Sequence, residues 1–367
     1  MTSFASSVLS EPRPAAGRRI RVLVVDDSAV ARRLVRQALE TSSRIEVVGS
    51  AANGRIALRM VADRQPDAVT LDIEMPDLNG LETAREIRRA HPKVRIVMLS
   101  TLAVPGATAT LDALAAGADD YVLKPSSAGL NGAAPEDFAG QLAAKISQFF
   151  LPPLAEGSGA PPKAVPRPAS RPDRAPCVKP LALAIAVSTG GPAALAELLP
   201  NLPAGFPAPV FITQHMPPMF TRLLGERLDS ISPLRVQEAA DGMTVKPGEV
   251  YIAPGNYHML VQGRAGTARI RLDQGPPENS CRPAADPMFR SIGQVYGGAV
   301  VAVILTGMGQ DGMRGAAALR QLGARILAQD EPTSVVWGMP GAVAGAGLAD
   351  KILRLQDIPA ELARQFS

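Results

Sequence analysis

The sequence predicts two α/β domains, each built around a mainly parallel β-sheet, with a proline-rich linker between them. The chain has 367 residues, which is the length of about two ordinary domains. In both halves, short apolar runs alternate with segments that have a helical apolar period, which is typical of parallel sheets covered by helices. Residues 147–180 are rich in Pro, Ala and Arg without any apolar period, so we predict an extended tether there.

The composition excludes several classes of protein. It is 46% hydrophobic and 20% charged with a formal net charge of +4, and aromatic residues make up 4%, so it does not favour a nucleic-acid-binding surface. No segment approaches the roughly 20 apolar residues of a spanning helix, and we predict no membrane insertion. The two cysteines, Cys177 and Cys281, give no disulfide framework and no metal-ligand spacing, which favours a cytoplasmic protein. Residues 1–19 lack the order of a secretory signal and are predicted to be a disordered leader.

The first domain, residues 20–146, is predicted to contain five strands that alternate with five helices. The predicted strands are Ile20–Val25, Ile45–Ala51, Ala68–Leu71, Arg95–Leu99 and Tyr121–Leu123. The predicted helices are Ala29–Glu40, Gly54–Ala62, Leu81–Ala90, Thr108–Ala116 and Phe138–Phe150. Strict alternation of this kind predicts a doubly wound parallel sheet with helices on both faces.

Polar side chains stand at the carboxyl ends of these strands. They are Asp26, Asp27, Asp72, Ser100 and Lys124. Since the carboxyl ends of parallel strands meet at one edge, three carboxylates would repel one another there, and Mg²⁺ would relieve the repulsion. A lysine and a hydroxyl beside the ion suit a phosphoryl group carried by Asp72 on the middle strand. Any one of these residues taken alone could simply cap the next helix, but the whole set favours a site.

The motifs VVDDSAVAR, LDIEMPDLNGLE, IVMLS and YVLKP follow one another at the spacing of a known family. Residues 20–146 resemble the response-regulator receiver domain, which has a flavodoxin-like fold. The resemblance implies phosphorylation of Asp72 by a histidine kinase. It also implies Mg²⁺ bound by Asp26, Asp27, Asp72 and the Glu74 carbonyl, with Lys124 on the phosphoryl group and Ser100 and Tyr121 as switch residues. An ordinary core position for Tyr121 stays an open alternative.

The second domain, residues 181–366, is predicted to be α/β with an inserted β-rich segment. The predicted strands are Leu181–Val187, Pro209–Thr213, Val236–Glu238, Glu249–Ala253, His258–Val261, Ala268–Leu272, Gly298–Leu305 and Ala324–Ala328. The predicted helices are Ala193–Leu199, Thr221–Leu228, Asp286–Tyr296, Gly312–Leu322 and Met339–Gly345.

Three of these buried strands end in residues that suit nucleophilic catalysis. Ser188, His215 and Asp311 each follow a different apolar run, and together they can act as nucleophile, base and orienting carboxylate. Backbone N–H groups of Thr189 and Met308, in glycine-rich turns, are candidates for an oxyanion hole. These turns match neither phosphate-binding glycine motif, which disfavours a nucleotide site.

Three other candidate residues are assigned lesser roles. We predict a helix cap for His91 and a half-buried structural role for His258. Cys281 has no histidine near it in the sequence, so the case for it as a nucleophile is weak.

Six stretches of the second domain match those of a known family: AVSTGGP, ITQHMPPMFT, YIAPGNYHM, PAADPMFRS, ILTGMGQDG and AQDEPTSVVWGMP. Together they are similar to the catalytic domain of the chemotaxis protein-glutamate methylesterases, the CheB family. The resemblance implies hydrolysis of glutamyl methyl esters on methyl-accepting chemoreceptors, deamidation of certain receptor glutamines and phosphorylation by the chemotaxis histidine kinase. We expect a monomer that needs Mg²⁺ in the receiver and no cofactor for the esterase step. The alternative is a receiver-controlled esterase or binding module of a non-chemotaxis pathway.

Two functional sheet edges joined by a tether also predict a switch. We expect the unphosphorylated receiver to cover the cleft of Ser188, and phosphorylation of Asp72 to uncover it. A few kcal/mol of differential docking is enough for such a switch.

Overall fold

The computed structural model of the chain describes residues 18–101, 104–125, 135–150 and 179–367. The leader predicted at 1–19 and the linker predicted at 147–180 lie almost wholly outside the described residues, so both stay predictions. The chain divides into two compact units. One unit contains the chain up to Leu99 together with Val122–Leu151, and the other contains Ser100–Tyr121 together with Pro152–Ser367.

A five-stranded sheet with strand order β2-β1-β3-β4-β5 organises the N-terminal region. Its strands are β1 (Ile20–Val25), β2 (Ile45–Ala51), β3 (Ala68–Asp72), β4 (Arg95–Ser100) and β5 (Asp120–Leu123). Strand β1 pairs in parallel with β2 and β3, and β3 pairs in parallel with β4. The helices are α1 (Ala29–Glu40), α2 (Gly54–Arg64), α3 (Gly80–Ala90), α4 (Val104–Ala115) and α5 (Pro135–Ser147). This strand order confirms the predicted doubly wound fold.

Helix starts in this region differ from the predicted ones where prolines stand nearby. Helix α4 begins at Val104 rather than Thr108, and α5 begins at Pro135 rather than Phe138. A proline fits the first turn of a helix because the N–H group that it lacks would have no helical partner there. Helix α3 starts where a sequence signal stands, since Asn79 and Glu82 form a capping box.

A second sheet of seven strands, in the order β14-β13-β12-β6-β7-β9-β8, organises the C-terminal region, and all its pairings are parallel. Its strands are β6 (Ala182–Val187), β7 (Val210–Gln214), β8 (Arg235–Glu238), β9 (Glu249–Ile252), β12 (Val300–Ile304), β13 (Arg325–Gln329) and β14 (Lys351–Leu353). Strands β10 (His258–Gln262) and β11 (Arg269–Asp273) form a separate antiparallel pair. The inserted β-rich segment is therefore this hairpin, whereas β8 and β9 extend the main sheet.

The helices of this region are α6 (Gly191–Leu198), α7 (Phe220–Ile231), α8 (Ala285–Tyr296), α9 (Met313–Gln321), α10 (Met339–Gly345) and α11 (Ile358–Phe366), with 3₁₀ turns at Leu199–Asn201 and Leu355–Asp357. Strand β14 and helix α11 have no counterpart in the sequence-based prediction. A signal for α11 exists, because Ile358, Leu362 and Phe366 repeat every four residues and all three are buried. None of the helices in the described parts of the chain is both long and apolar enough to cross a membrane.

Strand β6 lies at the centre of the second core. All six of its residues are buried, and Ala182, Ala184 and Ala186 share a cluster with side chains of α8 such as Met288 and Phe289. Small side chains on this face let α8 pack close to the sheet. The close packing carries the first turn of α8 to the edge where the candidate catalytic residues lie.

Candidate active site and phosphorylation site

The predicted acidic cluster is present in the first unit. Candidate ligand atoms of Asp26, Asp27 and Asp72 all lie within 4.8 Å of one another at the ends of β1 and β3. Lys124 Nζ lies 2.8 Å from Asp26 Oδ2 and 2.8 Å from Asp72 Oδ1. Burial disfavours the charge of Lys124, but its hydrogen bonds to Asp26 and Asp72 outweigh this effect and raise the lysine pKa.

Burial also raises the pKa of Asp72, and the neighbouring ammonium of Lys124 offsets part of that rise. Three crowded carboxylates with one lysine offer the oxygen ligands that a hard divalent cation prefers, so the donor set fits Mg²⁺. Glu74 follows Asp72 by two residues, and its side chain is exposed. Its role as a ligand through the backbone carbonyl stays a prediction.

The two predicted switch residues, Ser100 and Tyr121, belong to the second unit. Ser100 is buried, and its hydroxyl lies 2.6 Å from Thr110 Oγ1. The ring of Tyr121 is stacked on that of Phe220, with 4.8 Å between the centroids. Either a switch role or a core role for Tyr121 is compatible with this packing.

The candidate nucleophile Ser188 follows β6, the strand between β12 and β7 in the sheet. Its main chain is fixed from both sides, because Ser188 N donates to Thr306 O at 3.0 Å and Ser188 O accepts from Gln214 Nε2 at 3.0 Å. The N–H of His215, directly after β7, donates to Val187 O at 3.3 Å. Adjacent parallel strands thus bring Ser188 and His215 to one edge, as the sequence pattern predicts.

Glycines are required where the neighbouring turns approach Ser188. A Cβ at Gly307 would lie 2.7 Å from Ser188 Cβ, closer than real Cβ contacts allow. A Cβ at Gly191 would lie 1.9 Å from Gln214 Oε1. The Thr189 hydroxyl between these turns donates to Asp120 Oδ2 at 2.7 Å, and Met308 is 45% exposed. The oxyanion roles of Thr189 and Met308 stay predictions.

Asp311 is 1% exposed and binds the candidate base directly, with 2.7 Å between His215 Nε2 and Asp311 Oδ2. Its carboxylate also accepts backbone N–H groups from Ala285 at 2.6 Å, Asp286 at 3.2 Å and Gly312 at 3.0 Å. Burial acts to raise the pKa of Asp311, but the His215 hydrogen bond and these N–H donors lower it overall. The first turn of α8 therefore keeps Asp311 ionised beside His215.

Cys281 contacts the other ring nitrogen of His215. Its Sγ lies 3.6 Å from His215 Nδ1, although 66 residues separate the two in the sequence. Since Asp311 occupies Nε2, Nδ1 is the nitrogen left to accept a proton. The Ser188 hydroxyl forms no hydrogen bond with His215 in the described structure, so Ser188 Oγ has to come within hydrogen-bond reach of Nδ1 before it can give up its proton. The assumption that no histidine is near Cys281 holds in sequence but not in space.

The remaining histidines have structural roles. His258 is 3% exposed, so it is buried rather than half-buried as predicted. It accepts the Ala284 N–H on Nδ1 at 3.2 Å and donates from Nε2 to Pro276 O at 3.0 Å. It thereby anchors both ends of the loop that carries Cys281. His91 is the C-cap of α3, as the sequence suggests.

The contacts of His215 predict how ester hydrolysis depends on pH. Burial lowers its pKa, but the hydrogen bonds to Asp311 and Cys281 outweigh burial and raise the pKa from 6.5 to about 9. An imidazole acts as a base only when neutral, so we expect kcat/KM for ester hydrolysis to rise with pH until about 9. A pH–rate profile checks this, with circular dichroism at each pH as the control for folding. A limb near 6.5, the pKa of an unperturbed histidine, would contradict it.

Comparison with known proteins identifies the family. Residues 183–362 match the family described as CheB methylesterase, and residues 22–130 match the response regulator receiver domain. A protein-glutamate methylesterase/protein-glutamine glutaminase of Trichodesmium erythraeum is 45% identical over 349 residues, covering 95% of this chain and 99% of that protein. The chain belongs to the CheB methylesterase family. A Nocardioides protein of the same name is 48% identical over 356 residues, covering 95% of this chain and 96% of its own.

A solved structure also matches the C-terminal region. The CheB methylesterase catalytic domain of Thermotoga maritima superimposes with a TM-score of 0.50 at 45% sequence identity, covering 51% of this chain and 99% of that chain. Membership of the CheB family confirms the predicted resemblance for both regions of the sequence and the predicted α/β fold class.

Proposed function

We propose that the protein is a phosphorylation-regulated serine hydrolase that demethylates glutamyl methyl esters on the cytoplasmic domains of chemoreceptors and deamidates specific receptor glutamines. The observation that carries the proposal is the pair of half-buried His215 and buried Asp311, held at 2.7 Å on the sheet edge that also carries Ser188. Its CheB relatives bear the names of both activities. We propose that the protein acts as a monomer in the cytoplasm, where chemoreceptors present their signalling helices.

We infer a role for each group in ester hydrolysis, and the geometry supports these roles. Ser188 Oγ attacks the ester carbonyl carbon while His215 Nδ1 takes the hydroxyl proton. Asp311 accepts the Nε2–H and balances the charge of the imidazolium. The proton then passes to the departing methoxide, methanol leaves, and water hydrolyses the acyl-enzyme by the same steps with His215 again as the base.

The same acyl-enzyme forms from a glutamine side chain. Ser188 then displaces ammonia in place of methanol, with His215 supplying the proton to the leaving nitrogen. Backbone N–H groups at Thr189 and Met308 would stabilise the oxyanion of either tetrahedral intermediate, a contribution of about 3–4 kcal/mol per donor in comparable sites.

In the receiver region we propose that Asp72 accepts a phosphoryl group from the chemotaxis histidine kinase. Asp26, Asp27, Asp72 and the Glu74 carbonyl would hold Mg²⁺, which when bound offsets the charge of the carboxylates and the phosphoryl oxygens. Lys124 contacts Asp72 at 2.8 Å, and after phosphorylation its ammonium group would bind the phosphoryl group instead.

The switch operates through Ser100–Tyr121, the segment that belongs to the second unit. Within that unit Asp120 accepts the Thr189 hydroxyl, Asp112 pairs with Arg227, and Tyr121 stacks on Phe220. These contacts reach the turn directly after Ser188. We propose that they restrain this turn in the unphosphorylated chain, and that phosphorylation of Asp72 releases it by shifting Ser100 and Tyr121.

The function is tested with methylated receptor peptides and a small phosphodonor. We expect a loss of one methyl group per modified glutamate by mass spectrometry, released as methanol, with a faster rate when the phosphodonor and Mg²⁺ are present. The variant Asp72→Asn should keep the basal rate and lose the stimulation.

Two results would contradict parts of this proposal. If simple esters are cleaved but receptor peptides are not, the chain is an esterase of another pathway. If residues 181–367 alone are no faster than the unphosphorylated full chain, the restraint is wrong.

A further inference from the structure

A tight turn at Glu278–Cys281 lies directly before α8 and against the candidate catalytic residues. Its ends are joined by two backbone hydrogen bonds, Glu278 N to Cys281 O at 3.1 Å and Cys281 N to Glu278 O at 2.9 Å. Asn279 and Ser280 between them have φ values of +52° and +62°. Two consecutive residues with positive φ are typical of the tightest hairpin turns, where Asn is well accepted at the first position and Ser carries strain.

The turn aims the Asn279 amide at two buried carboxylates. Asn279 Nδ2 donates to Asp311 Oδ1 at 2.8 Å and to Asp286 Oδ2 at 3.0 Å. An amide has two N–H donors, so one side chain serves both acceptors. The backbone supplies the other donors to Oδ1, from Asp286 and Gly312.

These two carboxylates need a shared donor. Asp286 is fully buried, and its pKa is raised, first by burial and also by the charge of Asp311. Arg290 adds a favourable charge from the next turn of α8, but it is engaged with Glu278. Without the Asn279 amide, Asp286 and Asp311 would face each other with only backbone donors between them.

The two oxygens of Asp311 are divided between different tasks. Oδ2 faces His215 Nε2, and Oδ1 faces Asn279 Nδ2. Rotation of the carboxylate would break the first contact, and a side-chain donor on Oδ1 opposes such rotation. From this division we propose that Asn279 is a positioning residue of the hydrolase, whose amide fixes the Asp311 carboxylate in the orientation that binds His215. The inference rests on the proposed function, because it assumes that His215 and Asp311 serve Ser188.

Two substitutions separate the amide from the turn. Asn279→Gly keeps a residue that accepts positive φ and removes the amide. Asn279→Asp keeps the shape, removes the donor and adds a third carboxylate beside Asp286 and Asp311. Ser280→Gly is the matched control, because the Ser280 side chain is exposed and its φ is also positive.

The assay is labelling of the full chain by a fluorophosphonate probe, together with the steady-state kinetics of ester hydrolysis. For Asn279→Gly we expect full end-point labelling, a labelling rate and kcat lower by about tenfold or more, and an unchanged KM. For Asn279→Asp we expect a larger loss, since the change removes the amide donor and places a third carboxyl group beside Asp286 and Asp311. Ser280→Gly should equal the wild type.

The results that overturn the inference are distinct from those that overturn the function. An active wild type with an equally active Asn279→Gly contradicts the positioning role alone. The same holds if end-point labelling falls in proportion to kcat, since the variant then merely has fewer folded sites. A wild type that neither reacts with the probe nor cleaves esters contradicts the proposed function, and the inference falls with it.

Discussion

Ser188→Ala should abolish ester hydrolysis while the chain keeps its fold. The substitution removes the attacking oxygen, and loss of the nucleophile in serine hydrolases lowers kcat by about 10⁶-fold. Folding should be preserved because Ser188 is held through its main chain, by Thr306 and Gln214, and not through its hydroxyl. Methanol release from a methylated peptide measures the activity, and circular dichroism checks the fold.

Cys281 makes a second variant necessary for this test. Its thiol lies 3.6 Å from His215 Nδ1, so it is a second candidate nucleophile beside the base. Ser188→Ala combined with Cys281→Ala should therefore be as inactive as Ser188→Ala alone. Substantial turnover by Ser188→Ala that disappears in the double variant would assign the chemistry to Cys281 and overturn the role of Ser188.

Asp311→Asn should lower kcat by about 10⁴-fold, the effect of the equivalent change in a well-studied serine protease. An asparagine can present an N–H to His215 Nε2, which favours the wrong tautomer, and it carries no charge to balance the imidazolium. The loss of charge also lowers the pKa of His215. In the pH–rate profile, the residual activity should therefore rise at a lower pH than the wild-type activity, which rises up to about pH 9.

A matched control exists for this substitution on the same unit. Asp357→Asn changes an exposed carboxylate that makes no side-chain capping bond at the start of α11. It should leave kcat and the pH limb unchanged. If Asp311→Asn retains more than about a tenth of the wild-type kcat, Asp311 does not orient the base.

The sequence predicts the strand ends well for a physical reason. Ser188, His215 and Asp311 each follow a buried strand. Because the carboxyl ends of parallel strands lie at the same edge of a sheet, the sequence pattern is enough to predict that these residues share an edge. The contacts of Asn279 and Cys281 have no such rule behind them. They depend on the path of a loop that is fixed by its own turn and by His258, and periodicity carries no information about that path.

Differences in the elements have a similar origin. Strand β14 has three residues, too few for an alternating pattern, and it is defined by its pairing with β13. The predicted switch residues Ser100 and Tyr121 follow the receiver motif in sequence, yet they belong to the second unit. Tyr121 packs there on Phe220, a contact that the sequence pattern does not predict.

The two neighbours of the His215 ring, Asp311 and Cys281, affect the fraction of molecules in which His215 is neutral and can act as a base. With a pKa of about 9, about one imidazole in a hundred is neutral at neutral pH. Most enzyme molecules therefore lack a neutral His215 and cannot begin the reaction. Any event that lowers this pKa by one unit enlarges the neutral fraction about tenfold.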